Sequence, residues 1–196
     1  MEKQLEDLKA IREMMEKSSK FLSLSGKSGI GAGTCATIGA AVAYFYIFHQ
    51  PRTVAVQLLI LDAVIVLFFA VSLGIFFSYR KSKSRNDKFL SKVLIKILYN
   101  LFLPLFAGGL LSMILIHRDQ IEIVAGLTLI FYGLALINTS KYTYEEIHFL
   151  GITEIVLGFL AVIFLNYGIV FWTLGFGICH ILYGIIMYFK YDLKSK

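Results

Sequence analysis

Six apolar stretches fill most of this 196-residue chain, and they leave few folds open to it. They run from Ser28 to Phe48, Val54 to Phe77, Ile97 to Ile116, Ile121 to Ile137, Ile147 to Leu165 and Ile169 to Phe189. A bilayer core asks for about 20 helical residues per crossing, and each stretch meets or approaches that length. Hydrocarbon offers backbone polar groups no partner, so such segments cross as helices. The expected fold class is all-α, a polytopic membrane protein with six transmembrane helices. With 58% hydrophobic and 16% charged residues, the chain lacks the polar surface to keep six such segments in water. The first stretch begins only at Ser28 and five more follow it, so a cleaved signal peptide is not expected.

The 19 basic residues follow topology rather than a nucleic-acid groove. Lys3, Lys9, Arg12, Lys17, Lys20 and Lys27 precede the first span. Arg80, Lys81, Lys83, Arg85, Lys88, Lys92 and Lys96 lie between the second and third, and Lys190, Lys194 and Lys196 form the tail. Only Arg52 and Arg118 fall in the three loops of the other side. The positive-inside rule then places both termini in the cytoplasm, for a multi-pass protein of the cell (inner) membrane. Nucleic acid is not an expected partner. Cys35 and Cys179 fall within spans and give neither a disulfide framework nor a metal spacing.

Residues 1–22 differ from the rest, with Leu5, Leu8, Ile11, Met15 and Leu22 at three- and four-residue steps among charges of both signs. This is the pattern of an amphipathic helix. It can lie on the inner leaflet, pack on its own protein or dock a cytoplasmic partner. The domain division is thus a cytoplasmic helix over 1–22 and a membrane domain over 23–196. The basic Tyr79 to Ile95 segment reads as a cytoplasmic loop that serves topology and lipid headgroups.

A motif recurs in the spans. Gly126 to Gly133 reads G-L-T-L-I-F-Y-G and Gly177 to Gly184 reads G-I-C-H-I-L-Y-G. Ala63 to Ala70 echoes it with alanines for glycines, while Gly151 and Gly158 keep the same seven-residue separation in the fifth span. Three helical hairpins therefore read as copies of one unit, parallel because each starts and ends on the same side. In lipid, small residues are what let helix backbones approach, so these glycines are read as packing positions. In the first span Ser25, Gly29, Gly33, Thr37 and Ala41 recur every four residues. That face is expected against another helix of the bundle or of a second copy of the chain.

Ionisable groups within spans are costly unless paired, neutralised or wet, and three stand out: Asp62, Glu154 and His180. At 1.5 Å per residue, Glu154 lies at a depth of about 10 Å and His180 at about 13 Å from the basic side, so the two can meet. A carboxylate beside an imidazole at one depth forms either a proton-titrating pair or a hydrogen bond that fixes register. Asp62 lies nearer the opposite surface. Tyr132 and Tyr183, deep within the repeated motif, carry hydroxyls that need partners.

Other chemistry lacks its residues. S-G-K-S at Ser25 to Ser28 resembles the end of a phosphate-binding loop, but Phe21 stands where the first glycine is required. A serine–lysine hydrolase would need oxyanion donors that cannot be named. His49, His117 and His148 give no zinc spacing. No enzyme, cofactor or metal is expected.

The stretch Leu150 to Phe164, L-G-I-T-E-I-V-L-G-F-L-A-V-I-F, followed by the G-I-x-x-I pattern at Gly177 to Ile181, resembles the last hairpin of the HdeD-like family of short bacterial inner-membrane proteins. The resemblance covers mainly residues 149–189, with a fainter match at Leu101 to Ile137. It implies six spans built from glycine-containing hairpins and an association with acid resistance, and it transfers no catalytic or binding residue. The function expected is handling of protons or a small solute, or support of stress resistance. The rival is a membrane-anchored scaffold that binds a cytoplasmic partner through its N-terminal helix and basic loop.

Overall fold

The computed structural model describes residues 20–85 and 89–193, which hold six apolar spans and no strand. Helix α1 covers Gly26–Phe45, α2 Arg52–Ser84, α3 Lys92–His117, α4 Val124–Ser140 and α5 Glu146–Ile163. The sixth span, Leu165–Asp192, changes winding along its length. It contains helix α6 at Gly168–Trp172, a π-helical segment at Thr173–Cys179, helix α7 at His180–Met187 and a second π segment at Tyr188–Asp192.

Two boundaries depart from the sequence reading. Residues 1–19 of the expected amphipathic helix lie outside the described residues, and Lys20 to Leu22 are not helical. Helix α2 runs on to Ser84, so much of the expected Tyr79 to Ile95 loop is helix. Lysine and arginine are good helix formers, and here the extension has tertiary anchors. Ser78 and Ser82 are buried, and Lys81 reaches the carboxylate of Asp192 at 2.7 Å.

That ion pair belongs to a polar knot at the basic end of the bundle. Oδ2 of Asp192 accepts from the Ser25 hydroxyl at 2.9 Å and from the Gly26 amide at 3.0 Å, so the far end of the chain caps α1. Lys81 also donates to the Leu24 carbonyl at 2.7 Å, and the Tyr144 hydroxyl donates to the Leu22 carbonyl at 2.6 Å. Burial pushes the Tyr144 phenol up to about 12, which keeps it a donor at ordinary pH.

Glycine pairs close two of the helix seams. A Cβ on Gly133 would meet the Gly151 carbonyl at 2.5 Å, and one on Gly126 the Gly158 carbonyl at 2.6 Å, so α4 and α5 touch backbone to backbone. The same device joins α1 to the sixth span, with Gly29 against Gly184 and Gly33 against Gly177. Such approach is what holds helices together in lipid. On α1 the contact face follows Gly26, Gly33, Ala36, Ala40 and Ala43, all buried, while Ala41 is exposed. A strict four-residue ladder turns by about 40° per step at 3.6 residues per turn, and its last rung therefore leaves the interface.

In space the helices run α2, α1, sixth span, α5, α4, α3, and among the described residues α2 and α3 make no packed interface with each other. The bundle is thus closed along its glycine seams and open on one side.

Candidate functional site

Glu154 is fully buried in α5, one of the few large side chains with no exposure. Its neighbour across the bundle is His180, the first residue of α7, whose Nδ1 lies 3.3 Å from Oε1 of Glu154. The Nε2 of the same ring lies 2.8 Å from the Tyr132 hydroxyl of α4. Tyr132, His180 and Glu154 thus form a line of three polar groups from three spans.

The sixth span makes room for this line by two local departures. The π turns of Thr173–Cys179 bring the Gly175 carbonyl to 3.0 Å from Nδ1 of His180. A Cβ on Gly175 would collide with Oε2 of Glu154 and with the Leu129 side chain. A wide turn and an absent side chain together admit the carboxyl group. Neither is signalled by spacing alone, although π segments concentrate at functional positions.

The hydrogen-bond inventory fixes the proton positions. A carbonyl oxygen only accepts, so Nδ1 of His180 carries hydrogen and donates to Gly175. In the neutral ring Nε2 then accepts from the Tyr132 hydroxyl. The Nδ1 hydrogen points at Gly175, and among the described residues both oxygens of Glu154 accept no hydrogen bond despite the short approach. An isolated carboxylate in such surroundings would cost several kcal/mol. The pair has two arrangements with no net charge: a carboxylic acid beside a neutral imidazole, or a carboxylate beside an imidazolium. They differ by one proton, held by Glu154 in the first and by Nε2 of His180 in the second; across the 3.3 Å contact it is the Nδ1 hydrogen of the imidazolium that Glu154 can take up.

Asp62 is not part of this line. It lies in α2 on the wall of a separate cavity of about 580 Å³ near the opposite end of the bundle, lined also by Ala40, Arg52, Glu122 and Trp172. Rings connect the two places: Trp172 to Phe176 at 4.9 Å between centroids, Phe176 to Tyr132 at 5.0 Å, and Tyr132 to His180 at 5.3 Å. Tyr183 packs on the cluster of Leu136, Ile147 and Leu150, and its buried hydroxyl has no hydrogen-bond partner among the described residues. Sequence reasoning named Tyr132 and His180 without joining them, and missed Gly175, Phe176 and Trp172. The usable signal was periodicity: Trp172, Phe176 and His180 stand four apart on one face of the sixth span.

Among the described residues no group of three or more His, Cys, Asp or Glu side chains is placed to hold a metal ion. Cys35 and Cys179 are free thiols. No family model matches the chain, and no curated protein or solved structure matches it either.

Proposed function

We propose that this six-span membrane protein exchanges protons at the line Tyr132, His180 and Glu154, and thereby handles protons or a small solute across the membrane. The observation that carries the reading is the complete burial of Glu154 beside an imidazole. Histidine is the general proton shuttle among side chains, and a carboxyl group against its ring supplies a second site that can hold the proton. The Tyr132 hydroxyl adds a third relay position on the side of Phe176 and the cavity. The reading is compatible with the resemblance to the HdeD-like family and its link to acid stress. The basic-residue asymmetry supports an inner-membrane topology with cytoplasmic termini. The glycine motif seats spans four and six in the same way, each against an odd-numbered span of another hairpin, which supports repetition of the hairpin, and the last hairpin bears the proton pair.

The test is proton flux into liposomes carrying a trapped pH dye, driven by a potassium diffusion potential. Glu154→Gln is expected to keep the fold and abolish the protein-dependent flux, since an amide cannot release a proton. Equal flux in wild type and Glu154→Gln would overturn the proposal.

A scaffold role is the second reading, favoured by the exposed Arg80 and Lys83 on the extension of α2 beyond the apolar segment. It predicts capture of an acidic cytoplasmic partner that is lost when both are changed to glutamine.

A further inference from the structure

The cavity that contains Asp62 has a chemistry of its own. Its walls are mostly alanine, valine, leucine and isoleucine from α1, α2 and the opposite-end turns, with the ring of Trp172 on one side. At about 580 Å³ it falls within the range of small-molecule sites. Asp62 makes no hydrogen bond or ion pair among the described residues. Arg52 is the one cationic residue in the lining, and it is already engaged. Its Nε donates to Oδ1 of Asp119 at 3.0 Å, and its Nη2 donates to the Asp119 carbonyl at 3.1 Å and to Glu122 at 3.2 Å. Asp119 sits in a left-handed turn (φ 60°), which lets its carboxylate and its carbonyl face the same guanidinium. That engagement leaves Asp62 without a counter-charge and uses up the second carboxylate of the cavity.

We propose that this cavity is a binding site for a lipophilic organic cation, a bulky apolar body with one positive charge set against Asp62 and an aromatic contact on Trp172. Charge complementarity excludes anions. A bare metal ion needs several oxygen ligands, and Asp62 stands alone once Glu122 is held by Arg52. A cation whose charge is spread over an apolar body loses little on leaving water, and it gains from both the carboxylate and the indole face. The absence of a packed α2/α3 interface gives such a molecule a lateral route into the cavity. The site does not depend on the proton reading of Glu154.

The chain has a single tryptophan, and it lines the cavity, so its fluorescence reports occupancy directly. The full-length protein in phosphatidylcholine nanodiscs is titrated with tetraphenylphosphonium, and in parallel with neutral triphenylphosphine oxide. Saturable quenching by the cation is expected, at least tenfold tighter than by the neutral compound. Asp62→Asn should weaken it at least tenfold, Ala63→Phe should fill the site and abolish it, and Glu154→Gln should leave it unchanged. Binding of Asp62→Asn within twofold of wild type, or equal affinity for the neutral compound, would overturn the proposal and assign the cavity to lipid chains. Absence of quenching together with an Ala63→Cys disulfide between two chains would assign it to a second copy of the protein.

Discussion

Glu154 and Asp62 are both acids in apolar spans, yet the protein treats them in opposite ways. Around Glu154 the helices are drawn together by Gly126, Gly133, Gly151 and Gly158, a π turn opens just enough space, and an imidazole stands 3.3 Å away. Around Asp62 the helices α2 and α3 do not pack, no partner is supplied among the described residues, and the carboxyl group lies between the α1 backbone at Gly39 and a cavity. In the echo of the glycine motif on α2, Ala63 and Ala70 stand at the glycine positions. Alanine allows a looser approach than glycine, and no facing glycine pair of the kind that joins α4 to α5 spans the α2/α3 side among the described residues. An enclosed acid suits internal proton movement, and an open one suits a ligand.

The largest contrast is expected from steric insertion into the two sides. Gly133→Leu would drive a side chain into the Gly151 carbonyl and Ile155, at a cost of about 3 kcal/mol. Ala63→Leu adds three carbons where Gly133→Leu adds four, but on an exposed cavity wall, and should change stability by no more than about 0.5 kcal/mol. Unfolding in mixed detergent micelles measures both. Equal losses would mean that the α2/α3 side closes in the membrane and that the two halves do not differ as described.

Removal of polar partners comes next. His180→Ala strips Tyr132 of its hydrogen bond and leaves Glu154 without its imidazole, an expected loss of about 3 kcal/mol. Asp62→Asn removes a charge that has no protein partner, and stability should stay within about 0.5 kcal/mol of wild type. The same micelle titration decides. A destabilised Asp62→Asn would reveal that the carboxylate holds the fold, and the cavity would then need a structural explanation.

The legible part of this molecule was the part written in regular spacing. Apolar run length gave six spans, and residue counting along helices brought Glu154 and His180 to one depth, where the structure has them adjacent. Seven-residue glycine separations marked the seams because a helix repeats its face at that interval. What escaped lay where regular winding fails or where long side chains cross between elements. The π segment shifts residues off the expected face, so Gly175 could not be assigned its place under Glu154. Lys81 read as a loop charge because nothing local signals that Asp192, at the other end of the chain, caps α1 and pairs with it. The cavity was illegible for a further reason: it follows from two helices failing to pack, and no single segment encodes that.

The smallest effect should come from Arg52, and it sharpens the comparison most finely. Its ion pairs with Asp119 and Glu122 join the start of α2 to the α3/α4 turn, across the open side. All three side chains are about half exposed or more, so the attraction is screened by solvent and salt. Lys81 and Asp192 tie the other end of α2 with side chains only 8% and 11% exposed. Arg52→Gln is therefore expected to leave the melting temperature unchanged at physiological ionic strength, with a slight decrease visible only at low salt. Lys81→Gln should lower it at both. If Arg52→Gln instead destabilised the protein independently of salt, the ion pairs would be a buried latch within an assembled complex, and the open side between α2 and α3 would be an interface.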